Sequence, residues 1–199
     1  MVLIELKFPV IGTTVPSDHG YLMFSAVSRA IPEVHGADWI AVETIPGHAR
    51  GDGATQLNQR ARFKVRVPQD RVPLMLKLAG KRLEVGGHQV RLGIPRASLL
   101  IPSSTLYARC VTIKHYTEPE PFLGAVIAKL DEIAVDGEPE VGARRAFRVG
   151  NHTIVGFSLT LRGLSEEASL MLQEKGMGGR RHFGCGYFLA VPNGTQRFV

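Results

Sequence analysis

The chain is short of cysteine, tryptophan and long apolar runs. Its two cysteines, Cys110 and Cys185, stand far apart with no Cys-x-x-Cys. That spacing argues against a structural zinc site and for a reducing cytoplasm. The seven histidines form no His-Glu-x-x-His and no Cys/His cluster, so no metal or other cofactor is expected. No apolar run is long enough to span a bilayer. The opening Met1-Val2-Leu3-Ile4-Glu5-Leu6-Lys7 lacks a basic region ahead of an apolar one, and it reads as a strand rather than a signal peptide. No segment is of low complexity.

What remains is an ordinary globular composition with a basic bias. The 199 residues suffice for one domain or two small ones, and 44% are hydrophobic. The formal net charge is +6. A basic chain of this size favours a polyanionic partner.

Periodicity places the elements. Val2 to Phe8 reads as a strand, and Ser17 or Asp18 caps a helix from about His19 to Ile31, stopped by Pro32. Strands follow at 39–45 and 57–67, with a glycine-rich loop at 46–53 between them. A short helix at 72–79 ends at Gly80, and a hairpin spans 82–92 around Gly86-Gly87. The first half is then β-α-β-β-α-β, the ferredoxin-like order. The second half repeats it. It has a strand at 106–114, a helix at 118–133 with Pro119 in its first turn, and strands at 145–149 and 153–161 about Gly150-Asn151-His152. A helix capped by Ser165-Glu166-Glu167 and a strand at 183–191 complete it. The fold class is α+β, with tandem ferredoxin-like (RRM-like) modules at 1–95 and 105–199.

Two features bear on function. In the strand at 57–67, Arg60, Arg62, Lys64 and Arg66 alternate with Ala61, Phe63, Val65 and Val67. Successive strand residues face opposite sides, so the cations share one face. That face is either a solvated surface or a seat for a nucleic-acid backbone. Arg144, Arg145 and Arg148 form a second basic cluster. The other feature is the loop 176–186, with Gly176, Gly178, Gly184 and Gly186 around Arg180, Arg181 and His182. Glycines allow positive φ and close approach, and successive N–H groups in such a loop can cradle an anion. Its helix-then-strand context fits neither a dinucleotide fingerprint nor a P-loop. A plain connection that merely needs glycines is the competing reading.

Together these residues resemble a family. A tandem ferredoxin-like chain with G-x-G-x-x-x-x-x-G-x-G ahead of its last strand is similar to the RAMP superfamily of CRISPR-associated proteins. Within it the chain looks like the repeat-RNA-processing endoribonucleases ("Cas six" family, MYXAN-type). Asp18-His19-Gly20-Tyr21-Leu22, Val111-Thr112-Ile113-Lys114 with Glu118-Pro119-Glu120, and Gln173-Glu174-Lys175 running into the loop carry the likeness. It covers essentially the whole length. The resemblance implies metal-independent cleavage of precursor CRISPR RNA within each repeat. A ribose 2′-hydroxyl attacks the adjacent phosphorus and displaces the 5′-oxygen, leaving 2′,3′-cyclic phosphate and 5′-hydroxyl ends. It implies retention of the guide RNA, membership of a Cascade-like surveillance complex and a prokaryotic cytoplasmic setting. A catalytically inactive RNA-binding subunit is the alternative.

The family commonly uses a histidine near the end of the first helix, and here that position is His35. Histidine exchanges protons near neutral pH, as this reaction needs at both oxygens. His19 opens the same helix. Across about twelve helical residues the two would lie roughly 18 Å apart, too far to serve one phosphorus together. Where relatives carry a tyrosine on this helix and a lysine nearby, this chain offers Ser28 and Arg29. RNA contacts are expected from Arg60, Arg62, Lys64, Arg66, Arg144 and Arg145, and from Gly176, Gly178, Arg180, Arg181, His182, Gly184 and Gly186 in the loop. With aromatics at 7%, base stacking on the sheet face in the RRM manner is not supported.

Overall fold

The first half of the chain is built on one long central strand. In this computed structural model, which describes residues 2–192, β1 (Leu3–Ile11) is followed by β2 (Thr14–Pro16), α1 (Gly20–Ala30), β3 (Ala41–Glu43), β4 (His48–Ala49), β5 (Ala54–Gln56) and β6 (Arg62–Pro68). Then come α2 (Val72–Leu76), β7 (Arg82–Val85), β8 (His88–Leu92) and β9 (Arg96–Leu99). The main sheet runs β3-β6-β1-β8-β7, with β9 also on β1, and β2-β5-β4 form a small sheet of their own. Met1 and residues 193–199, the outer ends of the two expected modules, lie outside the described residues.

Alternation supplies the core. Leu6 faces Val65 and Phe8 faces Phe63 across β1 and β6. These four join Met23, Phe24 and Val27 of α1 and Met75 of α2 in one apolar cluster. Truncating a residue as large and buried as Phe63 to alanine would cost about 3–5 kcal/mol. Helix α1 forms because Met23, Phe24, Ala26 and Val27 recur at helical spacing and bury one face. It ends at Ile31, whose N–H reaches the Val27 carbonyl, because Pro32 cannot extend the ladder.

The second half holds β10 (Leu106–Val111), α3 (Pro119–Glu132), β11 (Glu138–Val149), β12 (His152–Arg162), α4 (Glu166–Lys175) and β13 (Phe188–Ala190), in sheet order β11-β12-β10-β13. Phe122, Val126 and Leu130 of α3 fall one turn apart and pack with Phe157, Leu159 and Phe188 of the sheet. Ser165 caps α4 by accepting from the Ala168 N–H, with Glu166 and Glu167 in the first turn. Each half is thus a β-α-β-β-α-β unit, with extra strands in the first. Contacts group residues 2–99 with His182–Gly184, and residues 100–181 with 185–192.

Several boundaries differ from the sequence reading, each for a local reason. The strand expected from Leu57 begins at Arg62, because Asn58–Ala61 closes a turn in which the Asn58 side chain accepts from the Arg60 N–H. The helix expected over 72–79 is α-helical only to Leu76, and Lys77, Leu78 and Ala79 continue in tighter i→i−3 bonds. The strand expected at 145–149 starts at Glu138. As an edge strand β11 tolerates Pro139, and its register shifts between Val141 and Arg144. The strand expected from Phe183 covers only Phe188–Ala190, and Arg181–Phe183 form a 3₁₀ turn. The linking stretch 94–104 contains β9, which sequence reasoning missed.

Candidate catalytic turn and nucleic-acid interface

His35 sits on a short turn between two buried anchors. Pro32–Val34 is a 3₁₀ turn, and His35 caps it with its N–H on the Pro32 carbonyl. Val34 is fully buried and Ala37 nearly so, whereas His35 and Gly36 are exposed. Gly36 at φ +73° turns the chain so that the Ala37 N–H reaches the Val34 carbonyl. The imidazole therefore faces solvent from a backbone pinned on both sides.

His19 is placed differently, which corrects the expectation of chemistry there. It is 1% exposed. Its Nδ1 donates to the Pro16 carbonyl at 2.8 Å and its Nε2 accepts from the Ile45 N–H at 2.8 Å. A carbonyl only accepts and an amide N–H only donates, so the ring is the neutral Nδ1–H tautomer with both nitrogens engaged. It ties the start of α1 to the chain after β3. Ser28 also departs from expectation, because its hydroxyl is shut off from solvent and has no hydrogen-bond partner among the described residues. Arg29 is exposed, with Nη1 on the Ser25 hydroxyl and Nη2 on the Glu84 carbonyl.

The glycine loop is closely packed. Gly176, Gly178, Gly184 and Gly186 all have positive φ. At Gly178 a Cβ would overlap the Thr112 carbonyl oxygen, so glycine is required by space as well as by its φ of +77°. The Gly179 N–H donates to Thr112 O, the Thr112 hydroxyl to Gly179 O, and the Gly186 N–H to Cys110 O. These amides serve the protein itself, which weakens the expected anion cradle. Arg180 is exposed, at φ +61°. Arg181 donates from Nη2 to the Glu174 carbonyl at 2.6 Å. His182 donates from Nε2 to the Ala37 carbonyl and lies tilted against Phe24, ring centroids 4.9 Å apart.

The basic stripe on β6 is not a row of solvated cations. Arg60 lies before the strand. Arg62 donates to the Gln59 and Ala61 carbonyls. Lys64 lies 2.8 Å from Glu43, and Arg66, 2% exposed, is held by Glu5 at 3.0 Å. Burial pushes the Glu43 carboxyl up, with Lys64 opposing. On β11, Arg144 and Arg148 are exposed, and Arg145 donates to the Arg109 carbonyl.

Sequence reasoning also missed a pair. Cys110 and Cys185 are free thiols with sulfurs 3.9 Å apart. The Cys185 S–H donates to Cys110, which lowers the Cys110 pKa and raises that of Cys185. Among the described residues no group of three or more His, Cys, Asp or Glu converges as a metal site, and no helix is long and apolar enough to cross a membrane.

Comparison with known proteins accords with this architecture. The family model "Cas6 Crispr" matches residues 4–193. The "CRISPR-associated endonuclease Cas6" of Myxococcus xanthus (strain DK1622) is 41% identical over 189 residues, spanning 95% of this chain and 82% of that protein. Among solved structures, a Cas6-related protein from Pyrococcus furiosus superposes with a TM-score of 0.67 at 13% identity, covering 96% of this chain and 99% of that one. A RAMP protein described as binding different RNA substrates gives 0.65 at 14% identity, with 96% and 100% covered. The endoribonuclease Cse3 bound to a 19 nt RNA gives 0.56 at 11%, with 96% and 100% covered. These likenesses extend the tandem ferredoxin-like fold across both halves. With the family model spanning nearly the whole chain and a relative this similar, the chain belongs to the Cas6 family of CRISPR-associated proteins.

Proposed function

We propose that this protein is a repeat endoribonuclease that cuts precursor CRISPR RNA within each repeat without a metal ion. The ribose 2′-hydroxyl attacks the adjacent phosphorus and the 5′-oxygen leaves, giving 2′,3′-cyclic phosphate and 5′-hydroxyl ends. The observation that carries this reading is the exposed imidazole of His35 on its anchored turn, in a chain 41% identical to a Cas6 endonuclease. His35 moves the proton, taking it from the 2′-hydroxyl or giving it to the leaving 5′-oxygen. Arg29, at the end of the preceding helix, is the candidate cation for the pentacoordinate phosphorus once one of its present bonds is released. With so sparse a set of groups, in-line positioning of the 2′-hydroxyl supplies much of the rate. The enzyme is then slow and keeps its product, as suits a cytoplasmic subunit that hands a guide RNA to a surveillance complex. Arg144, Arg145 and Arg180 are the candidate contacts to the RNA backbone.

End-labelled repeat RNA incubated with the protein in EDTA tests this. The expected result is one cut per repeat with a cyclic-phosphate end, and His35→Ala should remove cutting while leaving the RNA Kd within about twofold. Tight binding with no cut by the wild-type protein would instead assign it as an RNA-binding subunit.

A further inference from the structure

We infer that His182 of the glycine loop is a positioning residue for His35. The inference rests on the reading of His35 as the proton-transfer group. His182 is neither an RNA contact nor a proton donor in the reaction. Its role follows from where residues 182–184 pack.

The His35 turn has few supports of its own. It is a single 3₁₀ turn followed by a glycine at positive φ, with backbone bonds Val34 N to Ile31 O, His35 N to Pro32 O and Ala37 N to Val34 O. Those bonds fix the turn internally but do not fix its exit. The exit is held at the Ala37 carbonyl, two residues beyond His35, and the donor is Nε2 of His182. That imidazole is itself fixed. Its ring lies against Phe24 of α1 at 4.9 Å, and the next residue, Phe183, meets Tyr21 edge-on at 5.3 Å and Phe24 at 6.0 Å. The contact surface on α1 is cut to fit. A Cβ on Gly20 would overlap the Phe183 carbonyl, so the helix begins with a glycine where the loop crosses it. Gly184 in turn passes so close to Thr44 that a Cβ there would come within 2.6 Å of its methyl group.

One short segment thus grips the start of the helix that leads to His35 and the carbonyl that follows it. Displacing a reacting group by about 1 Å can cost roughly 100-fold in rate without weakening binding. His182 then acts on rate through the placement of the His35 backbone. The required property is an N–H at the Nε2 position, not a titratable group.

Three variants test this, read by single-turnover cleavage, RNA Kd, melting temperature and pH profile. His182→Phe keeps a ring against Phe24 and deletes the donor. It should slow cleavage about 10- to 100-fold with an unchanged Kd. His182→Gln places an amide N–H near the same point and should restore most of the rate, with the wild-type pH profile. His35→Ala in parallel reports on the underlying reading. A weakened Kd in His182→Phe would make His182 an RNA contact and overturn the inference. Failure of His182→Gln to recover any rate would make it an acid or base and also overturn it. Wild-type cleavage by His182→Phe would do the same while leaving His35 in place. Wild-type cleavage by His35→Ala would remove the endonuclease assignment of His35, and the positioning role with it.

Discussion

Strands β6 and β11 are both rich in arginine, one in each half of the chain, and they face different neighbours. On β6 the register sets an acid beside both Lys64 and Arg66. Glu5 of β1 is the partner of Arg66, and Glu43 of β3 the partner of Lys64. On β11 the partners of Arg144, Arg145 and Arg148 are Phe157, Gly156 and Thr153 of β12, and none is acidic. Alternation along one strand tells which face a cation occupies. Whether that cation can serve a phosphate is decided by the strand beside it.

The largest effect is expected at Arg66. Replacing Arg66 by alanine takes one of two cations from the buried Glu5 carboxylate and leaves it the more exposed Lys7 at 3.1 Å, so unfolding free energy should fall by about 2–3 kcal/mol. Urea titration measures this, and a stable variant with weakened RNA binding would put Arg66 back among the RNA contacts. The matching change on β11, Arg144→Ala, should leave stability within about 0.5 kcal/mol. It should weaken repeat RNA binding about threefold and reduce the salt dependence of binding by about one phosphate contact. The smallest effect is at Glu43. Its folded pKa is raised above the ordinary value of 4.5. Its contribution is therefore fully present below that value and lost as pH rises through the raised one. Glu43→Gln should gain on the wild type across that rise, as read by melting temperature at stepped pH. A constant difference between the two proteins would remove burial as the cause.

Much of the scaffold could be read from the residues. Helix α1, the Ser165 cap, the Gly150-Asn151 turn and the doubled β-α-β-β-α-β order rest on local chemistry that a sequence displays. The site was less legible. His19 and His35 look alike in a string of letters, yet one has both ring nitrogens bonded to backbone and the other stands in solvent. The partners that decide this, Pro16 and Ile45, contribute only backbone atoms and leave no mark in residue type. The glycines of the loop were legible as a need for unusual backbone. The groups that crowd them, the Thr112 carbonyl at Gly178 and Thr44 at Gly184, are brought there by pairings that no spacing reveals. The β6 acids were visible in principle, but only once the strand register was known.

The long hairpin of β11 and β12 has a further consequence. As the outer strand of its sheet, β11 presents backbone N–H and C=O groups on which a second copy could polymerise. Pro139 removes one donor from that row, the bulge at 142–143 bends it, and like charges at Arg144 and Arg148 repel an identical strand. The cations suited to holding a polyanion therefore also guard the protein against self-aggregation.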